Sequence, residues 1–397
     1  MPTPFDAVVE REERLYAPGV RRWPVALVRG EGSRVWDVDG REYIDLTAGW
    51  AVNAIGHCHP ALVEAIHEQA RTLMQTTNIV YTLPQLELAE ELARRTPEAI
   101  TRAFFVSSGA EANEGALKLA HRATGRSRFV STFGSFHGRT LGAMSVLGQE
   151  KYRARWSALL QESTFVPFGD LAAAEGAIAD DVAAVVVEPI QGEGGVQVPP
   201  EGYLQGLRRA CDASGALLIL DEIQTGIGRT GRWFALEHWD VVPDILTLGK
   251  GLGGGVPIAA FLATDPVMSA IEPGDHGGTY AGNPLCCHAA TTVVRVIERE
   301  GLVARAADLG ERISERLRDC ARRHTDRIET VRGLGLLLGV VLREPELAAR
   351  VLPALRERGV LINLTAERVF RVFPALNIPE PDLWKALDEL EAAIVQA

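Results

Sequence analysis

Cysteine is scarce in this chain and carries no pattern. Among 397 residues there are five, at Cys58, Cys211, Cys286, Cys287 and Cys320. An odd, scattered set without C-x-x-C spacing argues against a disulfide framework and against a zinc site, so no metal is expected. Long apolar runs are missing too. No stretch approaches the ~20 apolar residues of a membrane span. Basic clusters are absent, and the formal net charge is −11. Phosphate backbones need a basic face, so a nucleic-acid partner is not expected. The opening residues, MPTPFDAVVEREERLY, are charged early and lack an apolar signal core. A cytoplasmic location is the resulting expectation. There is no internal repeat and no low-complexity linker.

What is present is ordinary for a globular protein: 47% hydrophobic and 23% charged residues. The length exceeds what one core usually organises and suggests about two domains. Short apolar runs alternate with longer amphipathic ones. Candidate strands are 103–106, 128–131, 183–187, 217–220, 245–248 and 259–263. Helical stretches such as 111–123 and 202–214 lie between them. Continuous apolar strands separated by helices predict an α/β fold with a mostly parallel central sheet covered by helices. The ends read differently. Residues 35–45 hold a D-G turn between alternating segments and predict a hairpin. From about residue 291, long Arg- and Glu-rich helices are interrupted by short strands near 336–341 and 368–373. The expected organisation is a large α/β domain at 55–290. A smaller α+β domain would be built from residues 1–54 and 291–397.

Three strand ends carry chemistry. The strand at 217–220 runs into Asp221, and parallel sheets place ligands at the carboxyl ends of their strands. The strand at 244–248 runs into Gly249-Lys250-Gly251. Glycines there admit a planar ligand close to the backbone, and a desolvated lysine is a nucleophile toward aldehydes. A third strand runs into Ser107-Ser108-Gly109-Ala110-Glu111, a helix N-terminus suited to an anion. Each has a structural reading as well: a loop cap, a surface lysine, a well-capped helix. Together, a phosphate cradle, a carboxylate and a lysine suit pyridoxal phosphate. The lysine would form a Schiff base, and the carboxylate would keep the pyridine nitrogen protonated.

Two motifs mislead. Gly226-Ile-Gly228-Arg-Thr-Gly231 matches a dinucleotide fingerprint. However, four residues separate it from Asp221 and no helix start follows. His57-Cys58-His59-Pro60 lacks zinc spacing and reads as a loop.

The residues now support a resemblance. The chain resembles class III aminotransferases of the fold-type I pyridoxal-phosphate family, most of all its acetylornithine and ornithine branch. The likeness runs from about Gly30 to Phe373. Its motifs are WDVDGREYIDL, GHCHP, SSGAEANE, FHGRT, VEPIQGEGGV, LLILDEIQTGIGRTG, PDILTLGKGLGGGVPI, TYAGNPL and RVFPAL. The resemblance implies that Lys250 is the Schiff-base lysine and Asp221 the partner of the ring nitrogen. Gln224 would reach the phenolic oxygen. Phe136 and Ile223 would cover the two ring faces. Ser108, Gly109 and Ala110 would hold the phosphate, and Thr279 would touch the phosphate of the other subunit in a homodimer.

It also implies a substrate set: Arg139, Glu193 and Arg371. Arg371 would take the α-carboxylate of 2-oxoglutarate bidentately. Glu193 would neutralise Arg371 while an ω-amino donor is bound, and Arg139 would hold the donor's distal carboxylate. The implied reaction is ping-pong transfer of the ω-amino group of N-acetylornithine to 2-oxoglutarate. Ornithine, succinylornithine, 4-aminobutyrate and carrier-linked lysine precursors stand as alternative donors. An aminomutase and a non-catalytic relative are more distant alternatives. Two positions depart from the family pattern. Trp50 stands where a smaller aliphatic residue or tyrosine is expected beside the donor. Gly278 replaces a frequent serine or threonine.

Overall fold

The computed structural model describes residues 3–397. Its centre is a seven-stranded sheet. In spatial order the strands are Ile100–Val106, Ala259–Thr264, Ile245–Leu248, Leu217–Asp221, Val182–Val187, Arg128–Thr132 and Thr164–Val166. Neighbours are parallel from Ile245–Leu248 outward to Thr164–Val166. Ala259–Thr264 is the exception, antiparallel to both its neighbours. Two reversals restore direction, so Ile100–Val106 points the same way as the parallel strands. All six of these co-directional strands therefore open their carboxyl ends on one edge.

The strands are buried on both faces because helices cover both. Leu218 and Leu220 join Val185, Val187, Leu246 and Leu248 in one cluster. Ile219, Ala184, Val186 and Ile245 pack the opposite face, against the helix Gly109–Thr124. Each fully buried Leu or Ile contributes about 1.5–3 kcal/mol. The period-two alternation fixes register, and Asp221 shares the face of Ile219.

The two ends of the chain meet in the remaining sheets. Arg34–Asp37 and Glu42–Asp45 form the hairpin expected at 35–45, with Gly40 at φ 83° in its turn. Leu27–Glu31 extends it on one side, and Val360–Leu361 adds parallel to Glu42–Asp45 on the other. A second antiparallel sheet holds Ile328–Leu334, Leu337–Leu342, Val369–Val372 and Asn363–Thr365. In it Gly339 lies opposite Arg371. A Cβ at Gly339 would come within 3.0 Å of Val196 Cβ, so the glycine lets this sheet settle against the loop that follows Val182–Val187 and carries Glu193.

The first helix, Pro4–Leu15, was not anticipated. It buries no residue and is defined by its end: Thr3 and Asp6 cap it reciprocally and Pro4 occupies its first turn. We propose that the division between the two parts of the chain falls at Glu300–Gly301, not at 290/291. The helix Pro284–Arg299 runs unbroken across residue 290 and packs on Pro60–Thr72 and Leu83–Ala93.

That helix pair is pinned by a buried carboxylate. Glu91 is 3% exposed. It binds Arg95 Nη1 at 2.7 Å, Arg295 Nε at 2.8 Å and also Arg94. Burial opposes its charge, but the three guanidiniums prevail and hold its pKa at about 2. A carboxylate depressed on folding stabilises above its unfolded pKa, near 4.5 here, and loses that contribution as pH falls toward about 2. Glu91→Gln should therefore lower stability by about 2 kcal/mol at neutral pH, allowing for partial solvent screening. Denaturant melts at stepped pH should show the gap closing between 4.5 and 2. A gap independent of pH would mean that packing, not charge, is lost.

Candidate active site

Four strand ends and one helix converge at the open edge. Asp221 closes the strand Leu217–Asp221 and is 4% exposed. Its Oδ2 accepts from Asn113 Nδ2 at 2.8 Å and lies 2.7 Å from His137 Nδ1. Its Oδ1 accepts from the Ile223 backbone N–H at 3.0 Å. Asn113 is fixed in turn, donating to the His137 carbonyl at 2.7 Å and accepting from Thr247 Oγ1 at 2.9 Å. Its helix covers the face that Asp221 and Thr247 share. Burial works to lower the pKa of His137, but the bond and charge of Asp221 outweigh it and the net shift is upward. Glu188 ends the next strand. It accepts backbone N–H groups from Phe136 at 2.8 Å and Gly192 at 2.9 Å. Burial raises its pKa to about 7.

Lys250 follows the strand paired with Asp221, in register Asp221 to Thr247. It sits in a short 3-10 turn with φ 42°, a left-handed conformation. Among the described residues no ion pair holds its amine. Burial lowers its pKa, and Arg371 adds to this, against the opposing charges of Glu193, Asp221 and Glu188. A lysine so placed has more neutral amine available for attack.

Around Lys250 lie the groups that would border a ligand slot. Ser108 caps the helix Gly109–Thr124. First-turn N–H groups of a helix have no carbonyl partner within it, so Gly109 and Ala110 present donors at the edge. A Cβ on Gly109 would come within 2.8 Å of Ile223 Cδ1, and one on Gly249 within 3.3 Å of Ile223 Cγ2. Gln224 is buried with its Nε2 unpartnered. Phe136 meets Tyr152 edge-on at 5.7 Å.

Arg371 lies beside this slot with its side chain 0% exposed. Its Nε donates to Asn363 Oδ1 at 2.6 Å, Nη1 to Gln224 Oε1 at 3.3 Å and Nη2 to Glu193 Oε1 at 2.6 Å. Burial opposes the charge on Glu193, but Arg371 and Lys250 outweigh it and lower its pKa. Thr365 Oγ1 donates to the Glu193 carbonyl at 2.7 Å. Trp50 Nε1 donates to Glu193 Oε1 at 3.2 Å.

Trp50 stands on an uncommon turn. Ala48, Gly49, Trp50 and Ala51 have φ of 43°, 60°, 65° and 65°. Left-handed backbone costs a non-glycine residue about 1–2 kcal/mol. Asp45 holds the turn: Oδ1 accepts from Thr47 N at 2.8 Å, Thr47 Oγ1 at 2.6 Å and Ala48 N at 3.1 Å. Its Oδ2 lies 2.9 Å from His57 Nε2. The His57–His59 motif is thus structural, since His59 caps the helix Pro60–Thr72. Arg139 is exposed, stacked 4.6 Å from Tyr152, with no ion pair among the described residues. Thr279 is exposed and lines one cleft with Ser107 and Glu111.

A lysine, a carboxylate and a helix N-terminus on one sheet edge are shared by several chemistries, and comparison with known proteins decides among them. The pattern of the family described as aminotransferase class-III matches residues 15–394. The chain belongs to the class III aminotransferases. The acetylornithine aminotransferase of Methanopyrus kandleri is 49% identical over 373 residues, spanning 94% of this chain and 95% of that one. A solved acetylornithine aminotransferase from Elizabethkingia anophelis is 34% identical with a TM-score of 0.86, each chain covered in full. A solved ornithine aminotransferase from Toxoplasma gondii is 33% identical with a TM-score of 0.92, covering 99% of this chain and 95% of that one. That ornithine aminotransferase holds pyridoxal phosphate at partial occupancy in its active site.

The aminotransferase uses pyridoxal phosphate, and its residues fit that group. The unpartnered Gln224 amide requires an acceptor. Gly109 and Gly249 let Ile223 lie close against these strand ends, since a Cβ at either would crowd its side chain. The glycine fingerprint at 226–231 leads into turns and a short 3-10 segment, not the helix that a dinucleotide needs. Sequence reasoning missed Asn113, His137, Glu188, Asn363 and Thr365. Asn113, His137 and Glu188 stood inside the family's motifs. The signal for the first two was being polar one helical turn or one residue from an assigned position.

Proposed function

We propose that this aminotransferase moves the ω-amino group of N-acetylornithine to 2-oxoglutarate. The observation carrying this reading is the buried Arg371–Glu193 pair at 2.6 Å beside Lys250 and Gln224. One site must take a donor whose reacting carbon has no carboxylate and an acceptor whose reacting carbon has one. Arg371 suits the acceptor's α-carboxylate. Unpaired, it would be costly to keep buried while the donor is present, and Glu193 removes that cost. Arg139, exposed and without an ion pair among the described residues, suits the donor's distal carboxylate.

When bound, pyridoxal phosphate supplies an electron sink for the carbanion of the substrate. Asp221 would keep a proton on the ring nitrogen, with Asn113 and His137 fixing the orientation of its carboxylate. Ser108, Gly109 and Ala110 would hold the phosphate, Phe136 and Ile223 would flank the ring, and Gln224 would donate to its phenolic oxygen. Lys250 would hold the cofactor until the donor's amino group displaces it, and its freed neutral amine would then take the proton from the substrate carbon that bears the amino group.

A homodimer completes this reading, with Thr279 reaching the partner's phosphate site. It is supported by an exposed apolar area around Ile79, Tyr81, Leu83 and Tyr280. Gln85 ties these segments together through the Gly282 carbonyl at 2.7 Å. No described helix is long and apolar enough to cross a membrane, and we place the enzyme in the cytoplasm.

A donor panel with 2-oxoglutarate, read as glutamate formed, tests the assignment. N-acetylornithine should lead. A clear lead for ornithine or 4-aminobutyrate would replace it. Glu193→Gln should slow the donor half-reaction about tenfold and speed the glutamate half-reaction, because Arg371 is then free. Arg371→Ala should mainly harm 2-oxoglutarate and glutamate, also by at least about tenfold. Stopped-flow half-reactions separate the two. Equal losses in both halves would leave a merely structural ion pair.

A further inference from the structure

We propose that Trp50 is a specificity-determining latch that holds Glu193 on Arg371 and so biases the site toward donors that lack an α-carboxylate. This rests on the two-substrate reading above and names the residue that weights its switch. The indole N–H donates to Glu193 Oε1, the same oxygen that accepts from Arg371 Nη2. The Glu193 carboxylate therefore sits in a two-donor clasp of Arg371 and Trp50, while Thr365 Oγ1 donates to the Glu193 backbone carbonyl. An incoming α-carboxylate must pull Glu193 out of that clasp before Arg371 is free.

The placement of Trp50 is enforced, not incidental. A bulky residue at φ 65° is strained, and such strain persists only where neighbours over-determine the backbone. Asp45 supplies that determination through three donors from Thr47 and Ala48, and His57 braces Asp45 from behind. Trp23 packs against the indole with centroids 5.8 Å apart, holding the ring in orientation. The turn also lies against Gly251, next to Lys250, where a Cβ would come within 3.5 Å of the Ala51 carbonyl. The latch is thus built on the same backbone that frames the catalytic lysine.

The latch is asymmetric. Trp50 is 41% exposed, so once Glu193 leaves, water can satisfy the indole N–H. Glu193 loses a charge-assisted bond at the same moment. The net effect favours the closed pair modestly, which suits a switch that must open in every cycle.

Trp50→Phe keeps an aromatic ring against Trp23 and deletes only the donor. The experiment measures half-reactions of the holoenzyme with glutamate and with whichever ω-amino donor the wild type uses best, so it stands apart from the identity of that donor. The glutamate-to-donor ratio of kcat/KM should rise about fivefold to tenfold, the net scale of one hydrogen bond whose donor water can satisfy once it is broken. In a Glu193→Gln background the same substitution should leave that ratio unchanged, because no carboxylate remains to latch. Trp50→Leu carries the same expectation if the phenylalanine variant folds poorly. Additive effects in the cycle would overturn the latch. So would a loss confined to the donor's KM, which would make Trp50 a simple donor contact. A wild type that transfers no ω-amino group at all would instead overturn the two-substrate reading beneath it.

Discussion

Lys250→Ala should leave a folded protein that turns over about 10⁴-fold more slowly or not at all. Two contributions vanish together, the nucleophile that attaches the cofactor and the base that moves the substrate proton. The variant should also lose the visible absorbance of lysine-bound pyridoxal phosphate. It should still bind the cofactor, because the helix N-terminus, Asp221 and Gln224 are untouched. Borohydride reduction of the parent, followed by peptide mass mapping, should place the label at residue 250. A variant that kept the absorbance and near-normal activity would remove Lys250 from the mechanism. The structure strengthens the expectation. The φ of 42° at Lys250 and the burial that lowers its pKa are costs that a merely structural lysine has no reason to carry.

Asp221→Asn should bind the cofactor and lose about 10²- to 10³-fold in the rate of proton abstraction. Removing one charge of a buried, hydrogen-bonded pair costs about this much. The amide cannot hold the ring nitrogen protonated, so the carbanion loses its sink. His137 should respond as well. Its raised pKa depends on Asp221 prevailing over burial. In the variant, burial is left as the stronger influence and His137 should titrate lower. Single-turnover deuterium loss from substrate measures the first effect, and NMR titration of His137 the second. An unchanged abstraction rate would take Asp221 out of the chemistry. An unmoved His137 would mean that another charge, such as Glu188, sets its protonation.

Three of the residues assigned from sequence share a placement at the carboxyl ends of strands. Asp221, Lys250 and Ser108 each follow an apolar run, and a parallel sheet gathers such ends on one edge. Periodicity and turn chemistry were enough to place them. The supporting residues could not be read this way. Asn113 matters because one helix lies over one face of the sheet, which is a tertiary fact. Glu188 looks like any polar residue after a strand until its two backbone donors are seen. The strand Leu27–Glu31 escaped because it is short and mostly exposed, so no buried face imposed a period on it. The boundary proposed at Glu300–Gly301 rests on the helix Pro284–Arg299, whose packing on Pro60–Thr72 and Leu83–Ala93 no sequence period discloses. Trp50 was noticed as an oddity of bulk. Its hydrogen bond depends on a left-handed turn that nothing short of the folded backbone discloses.

The parallel pairing of Val360–Leu361 with Ile44–Asp45 orders assembly in time. Parallel partners need a crossover, and here the crossover is nearly the whole protein. A nascent chain makes the Glu42–Asp45 strand early and then carries it as an open β-edge through roughly tens of seconds of synthesis, at typical ribosomal rates. The turn bearing Trp50 begins two residues past that strand, so it too waits for the late segment to anchor its neighbour. Arg371, ten residues beyond Leu361, arrives last of all. The framework around Lys250 can therefore be in place before the apparatus that sorts substrates. An open edge held that long invites wrong partners, and chaperone demand should fall on the first fifty residues more than on the large central sheet.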